Sequence, residues 1–196
     1  MKKFLICVLV MSAAISASAQ VKFGVKGGLN MSMLSMSDED GDYDIDAKPS
    51  FYIGALAEFE LQTRTSLAIE LLYADHGAKY SEDGYEETFK MPSLMLPVLF
   101  KCEVVDNLNL GFGPYASYLL KREVEYEEEG NKETADIGEY YKDVDFGACV
   151  DVEYNLSSGL FVNARYNLGL ANIAKDFGYD EKSKLSALQI GVGFKF

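Results

Sequence analysis

The sequence predicts an all-β fold: an eight-stranded antiparallel up-and-down transmembrane β-barrel with four long external loops and three short periplasmic turns. Three observations carry this. Apolar side chains alternate with polar or small ones in eight segments of about ten residues or more, the length and period of a strand that crosses a bilayer. Short and long connectors alternate between those segments. The chain closes on Gln189-Ile190-Gly191-Val192-Gly193-Phe194-Lys195-Phe196, an alternating strand that finishes on an aromatic carboxyl terminus.

The amino-terminal end reads as an export leader. Met1-Lys2-Lys3 is basic, Phe4 to Val10 is an apolar run, and Ala17-Ser18-Ala19 is a small-x-small cleavage pattern ahead of Gln20. The run is too short for a helix that stays in the bilayer. Cys7 lies inside it, so it is not placed as a lipidated first residue. The expected division is a secretory signal peptide over 1–19 and a barrel domain over 20–196, without a lipid anchor.

In the first segment Val21, Phe23, Val25, Leu29 and Met31 share one face, against Lys22, Gly24, Lys26 and Asn30. The second sets Phe51, Ile53, Ala55, Ala57, Phe59 and Leu61 against Glu58 and Glu60. Leu67, Ile69, Leu71 and Tyr73 oppose Glu70 in the third; Leu94, Leu96, Val98, Phe100 and Cys102 oppose Ser93 and Lys101 in the fourth. The fifth carries Leu108, Leu110, Phe112, Ala116, Tyr118 and Leu120 against Asn109, Gly111, Tyr115, Ser117 and Lys121. Val144, Phe146, Ala148, Val150, Val152 and Tyr154 oppose Asp143, Asp145, Asp151 and Glu153 in the sixth. The seventh places Leu160, Val162, Ala164, Tyr166, Leu168 and Leu170 against Asn163, Arg165 and Asn167, and the eighth is the terminal strand.

Gln62-Thr63-Arg64, Val105-Asp106-Asn107 and Ser157-Ser158-Gly159 are tight turns. Leu34 to Lys48, His76 to Thr88, Arg122 to Tyr140 and Asn172 to Ser183 are long and polar. On the apolar face Phe23, Phe59, Phe100, Tyr154, Phe194 and Phe196 fall at the short-turn end, and Phe51, Tyr73, Tyr118, Phe146 and Tyr166 toward the long-loop end. Two rings of Phe and Tyr mark the two membrane interfaces of a barrel.

A formal charge of −13, more negative still once Lys2 and Lys3 leave with the leader, argues against nucleic acid as a partner, since basic patches carry that affinity. Mean hydropathy is near zero and no stretch is long enough for a spanning helix. Cys102 and Cys149 fall on opposite faces of non-neighbouring segments, which argues against a disulfide.

Leu94-Met95-Leu96-Pro97, Gly111-Phe112-Gly113-Pro114-Tyr115 with Leu119-Leu120, Asp145-Phe146-Gly147 and Arg165-Tyr166-Asn167-Leu168-Gly169-Leu170-Ala171-Asn172-Ile173 together resemble the PorT-like, "porin family protein" group of outer-membrane β-barrel domains. The resemblance runs from Val21 to Phe196. It implies an eight-stranded up-and-down barrel and allows an accessory part in an envelope secretion or assembly pathway. The terminal strand, with Gln189, Gly191, Phe194 and Phe196, also resembles the carboxyl-terminal signal read by the barrel-assembly machinery during insertion. Pro97 cannot donate to a ladder, and a bulge is expected there.

The polar face carries both signs of charge. One reading is a selective channel lining. The other is a plug of ion pairs, since side chains alone can fill an eight-stranded bore. The mixture favours the plug, with Arg165 bridging carboxylates drawn from Glu70, Asp143, Asp145 and Asp151. His76, the one histidine, has no serine beside it on the outer face and reads as an exposed loop residue. Gly24, Gly27 and Gly28 lack the spacing of a phosphate cradle. Asp38, Asp40, Asp42 and Asp44 alternate like calcium ligands, but Tyr43 stands where an EF-hand needs glycine. They are weak candidates for divalent metal, or plain solvated charge.

No catalytic group and no cofactor are expected. The favoured function is structural or interactive: a rigid scaffold in outer-membrane lipid, presenting acidic loops open to divalent cations or surface glycolipid. A passive small-solute channel, an envelope-assembly accessory and a soluble lipocalin-like carrier are the alternatives. The last would reverse the faces, apolar inside and polar outside.

Overall fold

The computed structural model describes residues 21–38, 41–82, 85–128, 131–175 and 182–196, by their backbone alone at 37, 38, 41–46, 81, 82, 85 and 128. Among the described residues ten antiparallel strands run in chain order: β1 (Val21–Asp38), β2 (Gly41–Gln62), β3 (Thr65–Glu82), β4 (Tyr85–Val105), β5 (Leu108–Leu119), β6 (Glu123–Glu128), β7 (Asn131–Asp136), β8 (Val144–Asn155), β9 (Leu160–Gly169) and β10 (Lys182–Lys195). Eight of them close a ring, β1-β2-β3-β4-β5-β8-β9-β10, sealed by β10 against β1. The remaining two, β6 and β7, form a hairpin that leaves the ring and pairs with the upper part of β4.

Alternation decides which way the wall faces. On β9, for example, Leu160, Val162, Tyr166 and Leu168 are exposed, whereas Phe161, Asn163, Arg165 and Asn167 are buried. The same holds around the ring, so the barrel is apolar outside and charged inside. That is the arrangement of a membrane wall rather than of a lipocalin-like carrier. The aromatic residues assigned to the two rings all lie on the outward face. Phe51 and Tyr73 meet at the upper interface with centroids 5.9 Å apart, and Phe100 meets Phe112 at the lower, 5.7 Å apart.

The short turns stand as expected. Asn107 takes a left-handed conformation (φ 69°), which a short polar side chain tolerates, and Gly159 does so at φ 86°.

The long connectors differ from the expectation. The first two are mostly strand: β1 and β2 stay paired from Ser35–Asp44 to Asp38–Gly41, and β3 and β4 from Gly77–Lys90 to Glu82–Tyr85. The third holds β6 and β7. Alternation of apolar residues marks only strand that faces lipid; above the membrane a ladder continues with no lipid-facing side to keep apolar, and the periodic signal vanishes. Pro97 also differs. It pairs with Tyr115 of β5, and no register shift occurs beside it on either flank. The β3–β4 ladder skips two positions, Glu70 opposite Pro97 and Leu71 opposite Leu96, and resumes in the same register.

Candidate functional site

The interior is stacked in tiers. In the middle, Arg165 on β9 donates from both terminal nitrogens to Glu70 on β3 (Nη1–Oε2 2.7 Å, Nη2–Oε1 2.8 Å) and from Nε to Asp151 Oδ1 (2.8 Å). Asp151 is the cross-strand neighbour of Arg165, so the pleat sets this contact. Asn163 Nδ2 donates to the same Asp151 oxygen at 3.1 Å and receives the Tyr52 hydroxyl on its Oδ1, also at 3.1 Å. Lys26 Nζ lies 3.4 Å from both Glu70 oxygens and 5.9 Å from the Tyr52 ring centroid.

Below this, toward the short turns, Lys101 and Lys195 each bridge Glu58 and Glu153: 3.2 and 2.7 Å for Lys101, 2.8 and 2.6 Å for Lys195. Gly111 sits between Lys101 and Asp151, where a Cβ would press on the Lys101 stem. In these two tiers four cations thus face four carboxylates, and the charges balance. Charges taken out of water require such pairing, and a bidentate guanidinium supplies the best geometry for it.

At the long-loop end the bore is closed by apolar side chains. Leu34, Ala78, Met91, Leu119, Tyr141, Ile173 and Leu185 form one buried cluster, backed by Met36, Phe89 and Ile137. Ile173 comes from the segment after β9, which folds into the mouth. Lys142 N donates to Ile173 O, Ile173 N to Ser183 O, and Tyr141 bridges Ala174. At the opposite end a polar cavity of about 560 Å³ opens to the short-turn side, lined by residues including Lys22, Glu60, Gln62, Asn109, Asn155 and Phe196. Its inner end meets Glu58 and Lys195.

The ion-pair plug contains Arg165, Glu70 and Asp151. Asp143 is not part of it: the residue is exposed at the upper rim and pairs with Arg122. Parity assigned it inward, but it precedes β8, where the wall has ended. Asp145 is buried yet separate, receiving the Tyr115 hydroxyl at 3.1 Å. His76 is buried inside β3 rather than exposed in a loop, because the strand runs on past it. Lys26, Glu58, Lys101, Glu153 and Lys195 belong to the plug as well. Their inward parity was visible in the sequence; which wall each would meet was not. The apolar closure had a signal too, since Leu119 and Leu185 occupy inward positions.

Gln189 is buried and donates Nε2 to Asn30 Oδ1 at 3.1 Å. At Gly191 a Cβ would strike the Tyr52 hydroxyl and the Gly27 carbonyl. Phe194 and Phe196 face outward, with Phe196 73 % exposed. Of the divalent candidates, Asp40 and the side chains of Asp38, Asp42 and Asp44 lie outside the described residues. Cys102 and Cys149 are both free thiols, on strands separated by β5.

A family model described as "Outer membrane protein beta-barrel domain" matches residues 14–175; it does not single out the PorT-like group. No curated protein matches the chain. Among solved structures, neisserial surface protein A is similar at 13 % identity, with a TM-score of 0.53 and 90 % of this chain covering 99 % of that one. Ail, the attachment invasion locus protein of Yersinia pestis, is similar at 12 % identity and a TM-score of 0.50, with the same coverage. At these identities the likeness is one of fold, that of eight-stranded outer-membrane barrels.

Proposed function

The chain belongs to the outer membrane protein beta-barrel domain family and resides in the outer membrane of a Gram-negative cell, and from that premise we propose that it works as a closed scaffold which presents acidic hairpins to the exterior. The observation that carries this reading is the filled bore. A balanced ion-pair plug and an apolar closure lie in series above the short-turn cavity, whereas a conducting pore of an eight-stranded barrel would need its inward side chains to stand apart. What remains for such a wall to offer is its outer end. There β1–β2, β3–β4 and β6–β7 rise as paired strands rich in Asp and Glu.

The same reading includes three narrower parts. Residues 1–19 are removed on export. The terminal strand, through Gln189, Gly191, Phe194 and Phe196, is the segment that the barrel-assembly machinery engages. The acidic hairpins, with Asp38, Asp40, Asp42 and Asp44, take divalent cations weakly and bridge through them to anionic surface glycolipid.

Planar-bilayer recording on the purified, refolded protein tests the closed scaffold. The expected trace has no steady conductance of porin size. Large, stable, ion-selective openings in the wild type would make it a channel instead.

A further inference from the structure

Between the ion-pair plug and the apolar closure lies a band of polar side chains that the plug does not use. Ser117 on β5 is the cross-strand partner of Asp145 on β8. Ser93 on β4 lies one diagonal step from Ser117, whose direct partner on β4 is Met95. All three are buried, Asp145 to 2 % exposure. Ser93 Oγ, Ser117 Oγ and Asp145 Oδ1 have no hydrogen-bond partner among the described residues. Asn167 on β9 and Gln189 on β10 continue the band, with Oδ1 and Oε1 equally unpartnered.

The charges sharpen the point. Lys26, Lys101, Arg165 and Lys195 are matched by Glu58, Glu70, Asp151 and Glu153. Asp145 is the buried carboxylate left over, with no ion pair among the described residues; the Tyr115 hydroxyl donates to its Oδ2. His76, on β3 next along the band, is a poor counterion, because burial disfavours an imidazolium and its Nδ1 has no partner. An isolated carboxylate in such a place costs several kcal/mol unless something positive joins it. The unpartnered atoms around it are mostly oxygens, hard ligands without thiolate or imidazole softness.

We propose that Asp145, Ser117 and Ser93 form a buried site for one small monovalent cation, sodium in the first instance, with water completing its shell. The carboxylate supplies the charge and the two hydroxyls supply neutral oxygens. A single negative charge suits a monovalent ion better than calcium, which gathers several carboxylates.

The test measures the unfolding midpoint of the mature barrel in detergent at fixed pH and ionic strength, exchanging N-methyl-D-glucamine chloride for sodium chloride. A ligand that binds the folded state alone raises the folded-to-unfolded ratio in proportion to its concentration once that concentration is well above the dissociation constant. The wild type is expected to gain stability with sodium in that proportion. Asp145→Asn should fold and lose the response, and Ser117→Ala should shift it to higher sodium. A midpoint indifferent to sodium overturns the proposal. So does a response that persists in Asp145→Asn, which would belong to the acidic hairpins, or stabilisation by acid alone, which would put a proton on Asp145.

Discussion

Arg165 and Glu70 hold one another across the full width of the barrel. β9 and β3 stand four strands apart in a ring of eight, and the two side chains meet in a parallel pair of hydrogen bonds at 2.7 and 2.8 Å. The contact ties opposite walls together, where neighbouring-strand contacts tie only adjacent ones.

Removing one side of that pair strands the other in a dry interior. Arg165→Ala leaves Glu70 with Lys26 alone and Asp151 with Asn163. A loss of about 3–5 kcal/mol is expected for breaking a buried pair from one side. Urea unfolding followed by the gel shift between boiled and unboiled protein measures it; a loss below about 1 kcal/mol would mean that water reaches the plug freely.

The apolar closure is predicted to behave as a packed core. Leu119→Ala should cost about 2–5 kcal/mol, the usual range for emptying a buried leucine site. Leu120→Ala, on the exposed face one residue on, should cost much less in detergent. Equal effects from the two variants would argue that the closure is not packed.

Phe196 separates assembly from stability. In the folded wall its ring projects outward, while its backbone N–H donates to Phe23 O. Phe196→Asp keeps that backbone bond, so refolding into detergent should proceed nearly as in the wild type, while the amount of barrel assembled in cells falls and protease-sensitive periplasmic material appears. Undiminished assembly in cells would remove the terminal strand as an insertion signal.

The acidic tip of the first hairpin gives a prediction for calorimetry. Calcium should bind weakly and in a salt-sensitive way, and changing Asp38, Asp40, Asp42 and Asp44 to Asn should reduce the heat. No heat in either protein would leave these side chains as solvated charge.

Acid should loosen the β6–β7 hairpin. Glu125 accepts from Lys90 at 2.5 Å, a bond that holds its carboxyl below the ordinary carboxylate value, with Lys132 adding to the effect. A depressed folded value means the contact is fully present above the unfolded value and is lost as pH falls through the folded one. Hydrogen exchange of the β6 amides, corrected for the intrinsic rate, should lose protection over that acid range. Lys90→Gln should already show the loss at neutral pH.

The lipid-facing wall was legible because a bilayer imposes strict alternation on each strand. Leu160, Val162 and Tyr166 could only face one way, and the inward parity of Arg165 followed. Partner choice inside was not legible. Asp145 and Asp151 share a face of one strand, yet only Asp151 is level with Arg165, because register around the ring sets heights that no single segment contains. The upper strands were missed for a related reason. From Gly77 to Glu82 the chain pairs fully with β4, but its side chains no longer sort by polarity.

The β3–β4 ladder has a mechanical consequence. From Tyr73 at the upper aromatic ring to Glu82 it runs on without a shift of register, about 30 Å of extended chain. A tip carried this way is held at a set reach on a stalk, where a disordered tether of equal length would sample every height beneath it. Whatever grips the tip pulls directly on the wall that Arg165 and Glu70 brace, with no slack to take up first.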